Sequence, residues 1–283
     1  DSFVSRGLGD VYKRQELEGS PMDEPRPGDA VVRIEVEYKP SHLASEVKGE
    51  IIIELFEEWA PITTNNMIMH VENGIYDGIF FHRVIDDFVT QAGDPTCKKS
   101  GVYPATSLTC GGGGSGGSIP LEHNENLSHV DGAIGMARSQ EPDSADTQWY
   151  IAETEAHGLD PENRDDEGYA TFGIVRNGMS HVRAIATVPT TDDPTGQEIV
   201  VNPASSAGRP IWEVHISTVE MIGVIPTPDD GNEVETESFF TTAAGKVTLS
   251  TLFLGIIAGG YLVFLRTKED EFEAILLDEP SDQ

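Results

Sequence analysis

Apolar positions alternate with polar ones, or gather into short β-rich runs, at seven places between Ala30 and Met221. These are Ala30–Glu37 (AVVRIEVE), Glu50–Phe56 (EIIIELF), Ile79–Ile85, Gly132–Ala137, Trp149–Ile151, Thr171–Val175 and Ile211–Met221. A period of two marks strands buried on one face, and unbroken apolar runs mark strands covered on both. Two other segments follow a helical period. Ala60–Asn73 carries Pro61 in its first turn, where a missing N–H costs nothing, and stops at Gly74. Gly178–Thr187 places Met179, Val182, Ile185 and Ala186 at helical spacing. Strands outnumber helices and turn-rich segments connect them, so the pattern predicts a mainly β fold, an antiparallel barrel closed by helices.

Beyond the strands the pattern changes. Val247–Leu265 (VTLSTLFLGIIAGGYLVFL) has no charged residue, and Lys246 and Arg266 flank it. An apolar helix of that length spans a bilayer, which predicts a transmembrane helix over 246–266. Arg266 and Lys268 follow the span and Lys246 precedes it, so the positive-inside rule puts the tail in the cytoplasm and the large domain outside. A tail anchor facing the cytosol is the alternative. Gly255 and Gly259 have the small-residue spacing of weak helix pairing, which makes self-association through the span a candidate. The remaining boundaries follow from composition: 1–15 a non-native leader, 16–28 a flexible N-terminal segment, 29–224 the folded domain, 225–245 an acidic, Pro- and Thr-rich spacer, and 267–283 an acidic tail.

A net charge of −31, from 49 acidic against 18 basic side chains, makes binding to a phosphate backbone unfavourable and excludes nucleic acid as the expected partner. Histidines fall singly and no CxxC or Cys/His cluster has zinc spacing, so no metal or cofactor is expected. The acidic stretch Asp160–Tyr169 lacks the ligand order of a calcium loop. Cys97 and Cys110 bracket a turn-rich segment and are either one small disulfide or two free thiols. The stretch Cys110–Ser118 (CGGGGSGGS) reads as a surface loop within one domain. Its Gly113-x-Ser115-x-Gly117 is no nucleophile elbow, because glycines precede it and Pro120 follows where a strand and a helix are needed.

Three blocks carry the candidate chemistry: FFHRVIDDFVTQAGDP at Phe80–Pro95, GAIGMARSQEPDSADTQWYI at Gly132–Ile151, and YATFGIV at Tyr169–Val175. In this order, and with ELF before the first helix, they resemble the cyclophilin family over about Ala30–Gly223. The resemblance implies a closed eight-stranded antiparallel β-barrel capped by two α-helices, and peptidyl-prolyl cis/trans isomerase activity. It implies Arg83 and Gln91 as catalytic residues, and Phe88, Val89, Ala137, Gln148, Tyr150, Leu159 and Tyr169 as the substrate-binding set. Tyr169 stands where many members have His, and Gly158 where a large aromatic contacts cyclosporin, which implies weak binding of that ligand. Arg138, where a small polar residue is usual, implies a second cation near the groove and a preference for acidic peptides.

The residue types suit the chemistry independently of the family. Rotation about an X-Pro bond meets a barrier of about 18–20 kcal/mol, because the nitrogen lone pair is delocalised into the carbonyl. A guanidinium aimed at that nitrogen stabilises the lone pair as it localises, an interaction stronger in the twisted transition state than in either planar form. Apolar side chains at 88, 89, 150 and 159 would hold the ring, and Gln91 would fix the peptide backbone. The expected function is a membrane-tethered folding catalyst acting on proline-containing proteins. The alternative is a non-catalytic proline-binding scaffold or chaperone module.

Overall fold

The computed structural model describes residues 20–98, 106–194 and 208–226. The candidate transmembrane helix at 246–266, its flanking spacer from residue 227 on, its tail, and the leader at 1–15 lie outside the described residues. No helix among the described residues is long and apolar enough to cross a membrane.

Strand β1 (Ala30–Tyr38) forms an antiparallel hairpin with β2 (Val47–Leu55). Val32, Ile34 and Val36 turn to the core while Arg33, Glu35 and Glu37 face outward, as the two-residue period predicts. The other strands are β3 (Arg83–Ile85), β4 (Val89–Ala92), β5 (Ala133–Met136), β6 (Trp149–Ala152), β7 (Thr171–Asn177) and β8 (Val214–Val224). All neighbours are antiparallel, in the order β3-β4-β6-β5-β7-β2-β1-β8. Sequence periodicity alone misses β4, which is four residues long between the Asp86-Asp87 turn and Asp94-Pro95.

The expected closed barrel is corrected to an open sheet whose edges are β3 and β8. The reason lies in the segment predicted as one strand over Ile79–Ile85. Its first half meets β8 only through an isolated Phe80–His215 bridge, with Gly78, Ile79 and Phe81 exchanging backbone hydrogen bonds with Val214 and Ile216. Its second half turns away as β3, and the Val84 N–H donates to the Gly208 carbonyl rather than to β8. The edges are covered, but no continuous ladder joins them.

Helix α1 (Pro61–Glu72) and helix α2 (Met179–Ala186) pack on the curved sheet. The first-turn N–H groups of Ile62 and Thr63 donate to the Glu122 carboxylate, which suits the positive helix terminus. Gly178, at φ +90, starts α2 so close to β2 that a Cβ would sit 2.3 Å from the Glu50 carbonyl oxygen. The core centres on Trp149, with Phe81 and Tyr76 edge-on to it and Phe172 and Phe56 fully enclosed. On the other side, Arg176 pairs with the wholly buried Glu54 and donates to the carbonyls of Pro21 and Met22. The Arg26 N–H also donates to Glu54, so this buried ion pair ties residues 21–26 to the sheet.

Candidate active site

Four strands bring the central candidates into one row. Arg83 on β3 is the cross-strand partner of Gln91 on β4, Gln91 of Tyr150 on β6, Tyr150 of Gly135 on β5, and Gly135 of Thr171 on β7. Directly opposed residues share a face, so the row Arg83–Gln91–Tyr150–Gly135–Thr171 lies on one face of the sheet, half-buried at Arg83 and Gln91 and covered at Tyr150, Gly135 and Thr171, while Val84, Thr90, Trp149, Ile134 and Phe172 face the other way into the aromatic core. The Arg83 side chain is half-buried, and burial draws its guanidinium below the usual value against the pull of Tyr169 and Asp192. Arginine remains a cation under such a shift.

From Arg83 a chain of hydrogen bonds runs sideways. Its Nη1 donates to Gln91 Oε1 at 3.5 Å, and Gln91 Nε2 donates to Gln148 Oε1 at 3.1 Å. Gln148 Nε2 then donates to the carbonyls of Gly111 and Gly113, at 3.1 and 2.8 Å. The glycine-rich stretch is thus a wall of the site. It encloses, with Gln91, Ala137 and Gln148, an open cleft of about 570 Å³. Buried Asp94 accepts from the N–H groups of Gly111 and Gly113, at 2.7 and 3.0 Å, and from Thr96. Burial would raise the Asp94 carboxyl, but these donors outweigh it and hold the group below the usual range. A Cβ on residue 113 would come within 2.1 Å of Asp94 Oδ1, which is why glycine is needed there. Cys97 and Cys110 are joined as a disulfide beside Phe80, with Cα atoms 5.0 Å apart, and Arg209 donates to the carbonyls of Ser107 and Cys110.

The remaining candidates sit around the row. Val89, on the strand that carries Gln91, is buried, and Phe88, in the turn before it, is half-buried. Tyr169 lies edge-on to Tyr150 with ring centres 6.1 Å apart, and its N–H donates to the carbonyl of Leu159. Gln91, Ala137 and Gln148 line the cleft itself; Arg83, Phe88, Val89, Tyr150, Leu159 and Tyr169 do not. His82, on the inward face beside Arg83, is buried, and its imidazole is pushed down to about 4, mainly by that burial.

Arg138 lines the same cleft, so the expected second cation does stand beside the groove. Its side chain is 1 % exposed. It donates to the carbonyl of Gly168 through Nε and Nη2, to Asp166, and to Ser139 and Gln140, and stacks on the Tyr169 ring at 4.7 Å. A cation so engaged clamps the 160–169 loop from the wall of the cleft, with its donors turned to backbone carbonyls. Sequence reasoning also missed Gly135, His129 and Asp160. No local motif singles them out, because what they do depends on cross-strand register.

Comparison with known proteins agrees with this geometry. Residues 42–205 match the family model described as cyclophilin type peptidyl-prolyl cis-trans isomerase/CLD. A peptidyl-prolyl cis-trans isomerase of Acinetobacter baylyi is 37% identical over 145 residues, covering 50% of this chain and 70% of the relative. One from Streptomyces antibioticus is 33% identical over 160 residues, covering 55% and 88%. A crystal structure of a Cryptosporidium parvum cyclophilin type peptidyl-prolyl cis-trans isomerase shares the fold with TM-score 0.51 at 22% identity, over 68% of this chain and 97% of that one. The same Cryptosporidium protein has also been crystallised in the presence of the dipeptide Ala-Pro. With the family model spanning more than half of its residues, this chain belongs to the cyclophilin-type peptidyl-prolyl cis-trans isomerase family.

Proposed function

We propose that the domain catalyses cis/trans isomerisation of X-Pro bonds in protein substrates, with Arg83 acting on the prolyl nitrogen. The observation that carries this reading is the row itself. A half-buried guanidinium stands beside Gln91 at one end of an apolar wall formed by Tyr150, Tyr169 and Leu159. Partial burial strengthens its field on a developing lone pair, and Gln91 keeps its fork in one orientation. Gln91 and Gln148 offer amide groups at the cleft to a peptide backbone lying across it. The apolar wall holds the proline ring while the preceding residue rotates, so binding and rotation use different parts of the site.

Replacing Arg83 tests the reading. With a short X-Pro peptide, Arg83→Ala should lower kcat/KM by about 100-fold or more, the usual cost of removing one preorganised donor from a developing charge. Arg83→Lys should fall between parent and alanine variant, since an ammonium keeps the charge but loses the planar fork. Equal rates in Arg83→Ala and parent, with peptide binding retained, would instead favour a non-catalytic proline-binding module. The finer proposal, that the catalyst works outside a membrane to which it is tethered, is supported only by the uncharged stretch 247–265 and its flanking basic residues. Protease shaving of intact cells tests it, and a protected domain would refute it.

A further inference from the structure

Tyr150 is held by more than apolar contact. A Cβ on Gly135 would come within 2.2–2.3 Å of Tyr150 Cζ, Cε2 and the hydroxyl oxygen, so the tyrosine ring lies over the space that this glycine leaves empty. At the far end of the ring the hydroxyl is 2.7 Å from His129 Nε2, and His129 Nδ1 is 2.6 Å from Asp160 Oδ1. The two rings are nearly parallel, 15° apart. His129 and Asp160 are both sealed from solvent, at 0% and 2% exposure. An imidazole carrying its proton on Nδ1 donates to Asp160 and leaves Nε2 to accept from the phenol, so the carboxylate selects the tautomer that can hold Tyr150.

Asp160 is itself heavily engaged. It also accepts from the backbone N–H of His129, from the Ser128 hydroxyl and from His157 Nδ1. Burial would raise its carboxyl, but the donors from His129, Ser128 and His157 outweigh burial and keep it ionised, well below the usual range. It directly follows Leu159 in the 3₁₀ turn that faces Tyr169. One buried carboxylate thus anchors both the loop carrying Leu159 and the histidine that holds Tyr150.

Isomerase chemistry asks only for an apolar ring at position 150, which phenylalanine would supply without burying a polar chain. We propose that His129 and Asp160 are positioning residues for the reaction: through the phenol hydrogen bond they fix the Tyr150 ring over Gly135 and so set the apolar wall beside Gln91 and Arg83. The inference rests on the isomerase reading above. Apolar contact alone does not choose among ring orientations, whereas a hydrogen bond at the far end of the ring fixes its tilt.

The test is a double-mutant cycle on the whole protein, read as kcat/KM on a short X-Pro peptide with melting temperatures as the control for folding. His129→Leu removes the acceptor and should lower kcat/KM about five- to tenfold, the effect of losing one buried hydrogen bond at a reacting surface. His129→Gln can still present an acceptor near the Nε2 position and should recover most of the loss. In a Tyr150→Phe background, His129→Leu should have no further effect. An equal loss with and without the phenol, or no loss in a folded His129→Leu protein, would overturn the proposal. Nitrogen NMR of the parent separates the two readings: a proton on His129 Nε2 in an active parent overturns the relay alone, while an inactive parent overturns the isomerase function and the catalytic role together.

Discussion

Glu153 should make the stability of this domain fall as pH rises through the neutral range. It follows β6, donates its backbone N–H to the Phe88 carbonyl, and is only 6% exposed. Its carboxylate shares one corner with those of Asp86 and Asp87 in the turn before Phe88, with oxygens within 4.8 Å of one another. Burial first, and the Asp86 carboxylate second, push Glu153 up to about 7. An exposed glutamate in the unfolded chain titrates near about 4.3. Below that pH the group is protonated in both states and the native contacts carry no penalty. As pH rises from there the unfolded chain ionises first, so stability falls until the folded group also ionises at about 7, and then levels off. At about 1.4 kcal/mol per pH unit, the gap is worth about 4 kcal/mol. Glu153→Gln keeps the shape and removes the titration. Urea unfolding of parent and variant from pH 4 to pH 8 should therefore give nearly equal stabilities at the acid end and a lead for Gln of about 4 kcal/mol at the alkaline end. Taking the difference between the two proteins cancels the carboxylates remote from this corner. Parallel curves over that range would refute the reasoning.

Three further outcomes follow from contacts described above. Arg176→Ala leaves Glu54 buried without its partner, so it should cost about 3–5 kcal/mol, and limited proteolysis should then cut residues 21–28, which the parent protects. Arg138→Ala should release the 160–169 loop and raise KM for X-Pro peptides with a smaller change in kcat, because the carbonyls of Asp166 and Gly168 lose their donor and the Tyr169 ring is left to Arg164 alone, while Arg83 and Gln91 keep their partners; an unchanged KM would refute this role. Reducing the Cys97–Cys110 disulfide should lower the unfolding free energy by about 3 kcal/mol on the chain-entropy account, measurable as a shift of the urea midpoint with and without reductant.

How much of this was legible in the sequence depended on how local each feature is. The alternation of Val32, Ile34 and Val36 with Arg33, Glu35 and Glu37 fixes both the strand and its buried face, and the structure follows it. Pro61 and Gly74 bracket α1 because a helix start tolerates the one and a left-handed exit favours the other. The edge of the sheet was not legible. Ile79–Ile85 reads as one apolar strand, and nothing in its composition says that Gly208 will take the Val84 N–H and divert the second half. The second role of Arg138 was not legible for a related reason: its place beside the groove follows from the sequence, but not that the carbonyls of Asp166 and Gly168, about thirty residues further on, are folded onto it. His129 and Asp160 gave no sequence signal, since their link to Tyr150 runs across strands and loops.

The cross-strand row also determines where this chain can lengthen. Adding a single residue at the start of β4, β5 or β6 would reverse the facing of everything after it in that strand, sending Gln91, Gly135 or Tyr150 inward among the aromatic core residues. Residues added to the connections disturb no such parity. The two long excursions, from Asp94 to Gly132 and from Glu153 to Ala170, can therefore vary in length away from His129 and Asp160 and reshape what surrounds the groove while the reacting groups keep their places.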